Sequence, residues 1–247
     1  MKSSLFTNTA KKAKGVSIIT CTNKPIYMNN IFKNYWNQTW SEKELIIILN
    51  KDDMDLAQWR RKASDDPNIF IYQLPKNLSL GQCLNFAIDQ TKCDFIAIFD
   101  DDDYYSPLYL NNMMLAFDYT DADIIGKKTH YVYFESCKAL YLRNLNQENQ
   151  FVDWVCGGKK IVKRNVFDKV RFRNISNNED VKFCNDCVKH GFKIYSTDRY
   201  HLVYVRRANP EYHTWKINDK KLIKSCKFIT YTDDYKDFCM PRNNKKE

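Results

Sequence analysis

The chain has 247 residues, enough for one large α/β domain or two small ones. Hydrophobic residues make up 44% of it, which excludes a disordered protein, and no apolar run approaches membrane-spanning length. Lysine and arginine number 39 against 30 acidic residues, and the formal charge of +9 predicts an anionic partner: nucleotide phosphates, nucleic acid, or an anionic membrane or glycolipid surface.

The first half of the chain alternates apolar strands with amphipathic helices. β-Branched runs such as residues 44–49 are typical of strands that are covered on both faces of a parallel sheet. The alternation predicts a doubly wound, mostly parallel α/β sheet. Strands are predicted at residues 16–20, 44–49, 69–72 and 95–99, and helices at residues 31–36, 56–59 and 80–88, with a further helix that has Ser106 as N-cap and Pro107 as its first residue.

Polar side chains follow these strands where they end. Because a parallel sheet collects its strand ends at one edge, we expect Thr20, Thr22, Asn50 and the four aspartates 100–103 in one crevice. Four consecutive carboxylates repel one another, and Mg²⁺ or Mn²⁺ would offset their charge while taking further ligands from substrate phosphates. The run therefore predicts a metal–diphosphate site. It is also typical of a solvated turn with one aspartate capping the next helix, and the run alone leaves both interpretations open.

Other phosphate- and metal-binding motifs fit poorly. No G-x-G-x-x-G follows the first strand, and no G-x-x-x-x-G-K-[ST] occurs, which disfavours the usual dinucleotide and P-loop sites. A calcium-binding EF-hand loop counted from Asp100 needs glycine at its sixth position and glutamate at its twelfth. Those positions hold Tyr105 and Asn111.

In the second half, strands are predicted at residues 123–126, 129–134, 192–195 and 202–205, and the alternation in the second of these favours antiparallel pairing. The basic stretch 159–173 predicts an amphipathic helix and hairpin with a solvated basic face; a nucleic-acid-binding arm is the alternative. A further helix is predicted between Asn178 as N-cap and Gly191, with Glu179 and Asp180 in its first turn.

Nine cysteines, an odd number, are scattered through the predicted elements. A secreted disulfide framework is usually shorter and even in count, so we interpret them as reduced cytosolic thiols. Cys184 and Cys187 form a C-x-x-C pair, but no second pair lies nearby and a zinc or redox role is disfavoured. The N-terminus has lysines but no continuous apolar core, which argues against a signal peptide. We expect a cytoplasmic protein that at most contacts a membrane peripherally.

The order of these parts resembles glycosyltransferase family 2, nucleotide-sugar enzymes with the GT-A fold, over roughly residues 15–215. The resemblance rests on VSIITCTNKP at 16–25, QTW at 38–40, ELIIILN at 44–50, LGQCLNFAI at 80–88, DFIAIFDDDDYYSP at 94–107 and ED at 179–180. It implies a GT-A-like sheet with an antiparallel extension on the acceptor side, a nucleotide-binding half (residues 15–106) and an acceptor half (residues 107–215). Residues 1–14 are then a flexible lead, and residues 216–247 a basic tail with one or two short helices.

The resemblance also implies roles for the nucleotide-binding residues. Thr20 and Thr22 fall where the family contacts the nucleotide. Asn50 stands where the family usually has an aspartate that binds the base, a departure that leaves the identity of the base open. The aspartate run covers the family's D-x-D signature: Asp102 is the first choice for metal ligand, Asp100 and Asp101 lie nearer the ribose and sugar, and Asp103 is structural.

For the reaction, the resemblance places Asp180 where inverting members carry the catalytic base, with Glu179 beside it. His213 corresponds to a late histidine that some GT-A enzymes place near the metal or diphosphate. The candidates for binding the acceptor are Trp154, Gly157 and Gly158, because sugars stack on aromatic rings and need close backbone approach.

The resemblance thus implies an inverting transferase that uses Mn²⁺ or Mg²⁺ and a UDP- or dTDP-sugar, with a glycan or glycolipid acceptor, in surface polysaccharide or glycoconjugate synthesis. A nucleotidyltransferase is disfavoured because residues 21–25 lack the glycine-rich basic loop that binds a triphosphate. The alternatives from other classes are a basic nucleic-acid-binding protein and a transferase relative that binds nucleotide without activity. No nucleic-acid recognition module is apparent, so we expect no nucleic-acid partner.

Overall fold

The computed structural model describes residues 14–241 of the chain. The flexible lead predicted for residues 1–14 therefore lies outside the described residues except for Lys14, as do the last six residues of the predicted tail. Within the described part, no helix is long and apolar enough to cross a membrane.

Four parallel strands form the first half of the main sheet, as the alternating pattern predicts. They are β1 (Val16–Thr22), β2 (Lys43–Asn50), β3 (Ile69–Leu74) and β4 (Phe95–Phe99). The helices that cover them are α1 (Met28–Trp36), α2 (Leu56–Ala63) and α3 (Leu80–Gln90). β2 is buried from Glu44 to Leu49, so apolar side chains on both faces join the two core layers on either side of the sheet.

The next helix, α4 (Tyr109–Tyr119), begins later than predicted. Ser106 is not its N-cap: the Ser106 hydroxyl lies 3.0 Å from Nδ1 of His201, and Pro107 and Leu108 form a turn before the helix. The short strand β5 (Tyr104–Tyr105) pairs with a strand of a second sheet, which draws this segment away from a simple strand-to-helix connection.

The second half of the chain completes an eight-stranded sheet. The added strands are β6 (Ile124–Gly126), β9 (Gln150–Phe151), β10 (Lys159–Lys163) and β11 (Ile194–Ser196), and the order is β3-β2-β1-β4-β10-β6-β11-β9. β10 runs antiparallel to both β4 and β6. The helix and hairpin predicted for residues 159–173 are wrong, since this segment forms β10 and a 3₁₀ helix (Arg164–Asp168). The solvated basic face is also wrong for the first two residues, since Lys159 and Lys160 are buried between neighbouring strands.

A separate five-stranded sheet provides the antiparallel extension. Its strands are β7 (His130–Phe134), β8 (Ala139–Arg143), β12 (Leu202–Arg206) and β13 (Cys226–Tyr231), with β5 at one edge, in the order β13-β8-β7-β12-β5. β7 pairs antiparallel with β8, as its alternation predicts, and parallel with β12. The tail adds α6 (Asp219–Ile223) and a 3₁₀ helix (Asp237–Cys239), but the prediction of helices alone misses β13.

Helix α5 (Glu179–Lys189) packs beside the main sheet, with Phe183, Cys184 and Cys187 in the core. Asn178 is its N-cap residue, as predicted, yet its side chain makes no capping hydrogen bond because its backbone is left-handed (φ 58°). Gly191 follows the helix with φ of 84°, a conformation that suits glycine.

Candidate active site

A cavity of about 500 Å³ opens at the carboxyl ends of β1, β2 and β4. It is the edge at which the parallel strands were expected to bring their polar ends together. Helix α5 and the segment around residues 212–215 close its other sides. Ten of the predicted site residues line it: Thr22, Asn50, Asp100, Asp101, Asp102, Trp154, Gly157, Glu179, Asp180 and His213.

The aspartate run is held by the helix that follows β1. The side-chain amide of Asn30 donates to the backbone carbonyls of Asp101 and Asp103, and that of Asn34 donates to the carbonyl of Asp103. Thr22 donates its hydroxyl to Oδ2 of Asp101 at 2.5 Å. These contacts make a fixed loop whose carboxylates are directed by the scaffold, which is unlike a solvated turn.

The fourth carboxylate belongs to the scaffold and does not line the cavity. Asp103 is fully buried, and it accepts hydrogen bonds from Nζ of Lys159 at 2.9 Å and from the backbone N–H of Val205 at 2.9 Å. Those two contacts join the eight-stranded sheet, the loop of residues 100–103 (the aspartate loop) and β12. They leave Asp100, Asp101 and Asp102 as the carboxylates at the cavity.

Burial and mutual repulsion disfavour the ionised forms of Asp101 and Asp102. Burial raises the pKa of Asp101 to about 6, a rise that the Thr22 hydrogen bond and the charge of Lys24 oppose. Burial raises the pKa of Asp102 well above its ordinary value, and the charges of Asp103, Asp101 and Asp100 add to that effect. A cation at this edge would offset both effects.

Asp102 and His213 offer a place for that cation. Nε2 of His213 lies 3.2 Å from the backbone oxygen of Arg207, which can only accept, so Nε2 carries the proton. Burial lowers the pKa of His213, which favours the neutral ring and leaves a lone pair on Nδ1. That atom lies 3.8 Å from Oδ2 of Asp102, beyond hydrogen-bond distance, so the two atoms face each other without being bonded. Within residues 14–241 no three histidine, cysteine or acidic side chains form a ready metal cluster. A divalent ion held by Asp102 and His213 would need its remaining ligands from substrate and water.

Glu179 and Asp180 stand at the start of α5 on another wall of the cavity. Burial, and after it the charge of Asp180, raise the pKa of Glu179 to about 7. Oδ1 of Asp180 accepts a hydrogen bond from the N–H of Val181, and Oδ2 lies close to Gly157, where an added Cβ would be 3.6 Å away. Asp180 is thus fixed at a helix N-terminus, where a negative charge is favoured.

Asn50 at the end of β2 also lines the cavity. Its side-chain Nδ2 donates to the backbone oxygen of Pro75 at 2.7 Å. One amide hydrogen therefore supports the loop after β3, which leaves the amide oxygen and the second amide hydrogen for a ligand. An ionised aspartate has no hydrogen to donate and could not make this bond. The asparagine that departs from the family's pattern therefore stabilises the loop after β3.

Two predicted residues lie elsewhere. Thr20 is buried within β1 and is not among the residues that line the cavity. Gly158 lies behind Asp100: its N–H donates to Oδ2 of Asp100, and a Cβ on it would be 2.3 Å from Cγ of that aspartate. Gly158 therefore permits the aspartate loop to pack on β10, and the structure does not place it at an acceptor surface.

Several cavity residues escaped the sequence prediction. They are Lys24, Lys76, Arg143, Lys160, Tyr212 and Trp215. Nothing in their local sequence marks them, since they come from five separate segments, with Tyr212 and Trp215 sharing one, and meet only in the fold. The Arg143 guanidinium lies 4.9 Å from the Trp215 ring, so a residue of the second sheet and a residue of the segment around 212–215 form one wall.

Comparison with known proteins agrees with this architecture. The model of glycosyl transferase family 2 matches residues 17–171, more than half of the chain. The chain is 31% identical over 105 residues to the O-antigen biosynthesis glycosyltransferase WbnJ of Escherichia coli, an alignment that covers 40% of each protein.

Among solved structures, the chain is similar to TarS of S. aureus. It matches TarS 1-349 in complex with UDP-GlcNAc with a TM-score of 0.66 at 15% identity, covering 85% of this chain and 64% of that one. The complex of TarS 1-349 with UDP matches with a TM-score of 0.60 at 17% identity, covering 77% and 60%. The chain thus spans less than two thirds of these relatives. The likeness confirms the predicted fold: mixed α/β with a large, mostly parallel sheet, as in GT-A structures such as TarS.

Proposed function

The chain belongs to glycosyl transferase family 2, as its motifs predict, and from this premise we propose that it transfers a sugar from a nucleoside diphosphate sugar to a hydroxyl group of a glycan or glycolipid. The process it would serve is the synthesis of a surface polysaccharide or glycoconjugate; the similar protein WbnJ is named for O-antigen biosynthesis. The single observation that carries the proposal is that the aspartate loop and the Glu179–Asp180 pair line one cavity at the end of the parallel strands.

The donor diphosphate belongs at the aspartate loop. Asp102 and His213 would hold Mn²⁺ or Mg²⁺, and the ammonium of Lys24, which lies beside Asp101 and Asp102, adds positive charge near the same place. When bound, the ion would spread the negative charge that develops on the leaving diphosphate. Thr22 keeps Asp101 oriented, and Asn50 presents its amide oxygen to the base.

Asp180 is the proposed general base. The acceptor oxygen attacks the anomeric carbon, the bond from that carbon to the diphosphate oxygen breaks with its electron pair leaving on the diphosphate, and the hydroxyl proton passes to Asp180. Direct displacement from the opposite face inverts the anomeric configuration. Gly157 has no side chain in front of Asp180, so an acceptor hydroxyl can approach the carboxylate closely.

The acceptor is proposed to bind along the aromatic side of the cavity. Trp154 lines this side, with Nζ of Lys128 lying 4.9 Å from its ring centre, and Trp215 lines it with Arg143. Aromatic faces with cationic neighbours suit sugars that carry negative groups, and the formal charge of +9 suits peripheral contact with an anionic membrane surface from the cytoplasmic side.

The donor is proposed to be a UDP-sugar, with a dTDP-sugar as the alternative. The support is that TarS structures contain UDP and UDP-GlcNAc and share this fold. The test is a panel of UDP- and dTDP-sugars with Mn²⁺, scored first by the rise in melting temperature and then by sugar transfer, with the anomeric configuration of the product read by NMR. Retained configuration would overturn the displacement mechanism. Salt-dependent retention on RNA or DNA without any effect of UDP would favour the nucleic-acid-binding alternative instead.

A further inference from the structure

Among the residues that the structure describes, the buried lysine and arginine side chains have carboxylate partners, with one exception. Within residues 14–241 the buried lysine and arginine side chains are Lys127, Lys159, Lys160 and Arg206. Lys127 pairs with Asp198, Lys159 with Asp103, and Arg206 with Asp219. Lys160 is fully buried, and its Nζ atom has no hydrogen-bond partner. An ammonium withdrawn from water without a partner is costly, so a site where one persists is a site built for an oxygen that arrives from outside the chain.

The position of Lys160 limits what that oxygen can be. On β10, Lys159 and Lys160 are successive residues and point to opposite faces of the sheet. Both lysines line the cavity. Lys159 faces the aspartate loop, whereas Nζ of Lys160 lies 6.0 Å from the ring centre of Phe183 on α5. Lys160 is therefore on the side away from Asp103, below the start of α5.

The position of Glu179 shows how Lys160 could take part in the proposed reaction. Glu179 lines the same cavity as Lys160 and Asp100, and it is near enough to both for their charges to act on it. Asp180, the proposed base, is its neighbour in sequence. In a displacement reaction the transferred sugar lies between the leaving diphosphate and the base, and Lys160 lines the same cavity as the aspartates and Asp180.

We propose that Lys160 is a specificity-determining residue, which donates its ammonium hydrogens to an oxygen of the transferred sugar. This inference rests on the proposed function, because it assumes that the diphosphate occupies the aspartate loop. The oxygen is a ring hydroxyl in a neutral hexose or a carboxylate oxygen in a uronic acid; both accept from an ammonium. Glu179 makes no hydrogen bond to Lys160. It lines the same cavity, where it can contact the same sugar.

The test compares UDP with UDP-sugars, because Lys160 should act on the sugar and not on the diphosphate. Binding of UDP, UDP-glucose, UDP-galactose, UDP-N-acetylglucosamine and UDP-glucuronate is measured by calorimetry with Mn²⁺ for wild type, K160M and K160Q. K163M is the matched control: Lys163 lies on the same strand but pairs with Asp123 and does not border the cavity.

We expect wild type to bind at least one UDP-sugar more tightly than UDP. K160M should leave UDP binding unchanged, which also shows that the variant folds, and should weaken that UDP-sugar by roughly 10- to 100-fold, the loss typical of a charged hydrogen bond. K160Q should recover part of the loss for a neutral sugar, and a preference for UDP-glucuronate in wild type would identify the carboxylate.

Equal weakening of UDP and UDP-sugars by K160M would place the contact on the diphosphate and overturn the inference, while leaving the proposed function intact. Unchanged UDP-sugar binding in K160M, or a wild type that binds no UDP-sugar of the panel more tightly than UDP, would also overturn it. Failure of wild type to bind UDP at all would instead count against the proposed function.

Discussion

Nζ of Lys159 lies 2.9 Å from Oδ2 of Asp103, and both side chains are buried. This ion pair holds Asp103 inside the protein, whereas Asp100, Asp101 and Asp102 face the cavity. Removing Asp103 breaks this buried pair and leaves Lys159 only the longer ion pair with Asp100 at 3.5 Å, so D103N should lower the free energy of unfolding by roughly 3 kcal/mol. Urea denaturation measures this directly. D89N is the control, since Asp89 pairs with Arg171 at the surface and should cost little; equal losses in the two variants would contradict a special role for Asp103.

The assignment of Asp180 as base predicts a separation of binding from turnover. D180N keeps the shape of the side chain but cannot accept a proton, so kcat should fall by roughly 10²- to 10⁴-fold while UDP binding is retained. Asp186 on the same helix pairs with Arg173 away from the cavity, and D186N should leave kcat unchanged. Turnover of D180N at the wild-type rate would show that another group takes the proton.

The two adjacent glycines should respond differently to the same substitution. A Cβ on Gly158 would lie 2.3 Å from Cγ of Asp100, whereas the nearest neighbour of a Cβ on Gly157 is Oδ2 of Asp180 at 3.6 Å, an ordinary contact. We expect Gly158→Ala to destabilise the fold by roughly 1–3 kcal/mol or more and to weaken metal-dependent UDP binding. Gly157→Ala should fold normally and raise the KM for the acceptor. Thermal melts and kinetics of both variants check this, and similar stability of the two would contradict the packing assigned to Gly158.

Glu179 should make stability depend on pH in an unusual direction. Burial raises its pKa to about 7 from an ordinary value of 4.5. The folded protein therefore keeps a proton that the unfolded chain has lost, and the contribution of Glu179 to stability falls as pH rises from 4.5 through 7. E179Q removes this titration, so it should be more stable than wild type above about pH 7, with the gain vanishing near pH 4.

Urea denaturation across this pH range measures the effect. D186N is the control of opposite sign: Arg173 lowers the pKa of Asp186, so its carboxylate stabilises the fold above its unfolded pKa and its loss should be felt at neutral pH. A stability difference between E179Q and wild type that does not change with pH would contradict the raised pKa.

The edge of the parallel sheet could be predicted because it depends on local patterns. Apolar runs such as residues 44–49 mark buried strands, and the polar residues that follow them, Asn50 and Asp102 among them, must then meet at one edge. The start of α5 with Glu179 and Asp180 was predicted on the same basis. These parts of the site are fixed by short segments, whose periodicity a sequence displays.

The remaining parts depend on contacts between distant segments. Lys159 and Lys160 look like a solvated basic face, and only their place on β10 between two strands makes them buried. Asp103, the partner of Lys159, lies 56 residues away in sequence. β13 is half exposed and pairs with one strand only, so its pattern is too weak to predict it. Arg143 and Trp215 are also far apart in sequence, so their position on one wall of the cavity could not be predicted.

The account rests most directly on whether the aspartate loop binds a cation together with a diphosphate. Calorimetric titration of UDP into the protein, with and without Mn²⁺, tests this on wild type, D102A and the surface control D89A. We predict binding by wild type and D89A that requires Mn²⁺, and none by D102A. Binding of UDP that is independent of Mn²⁺, or that survives in D102A, would contradict it.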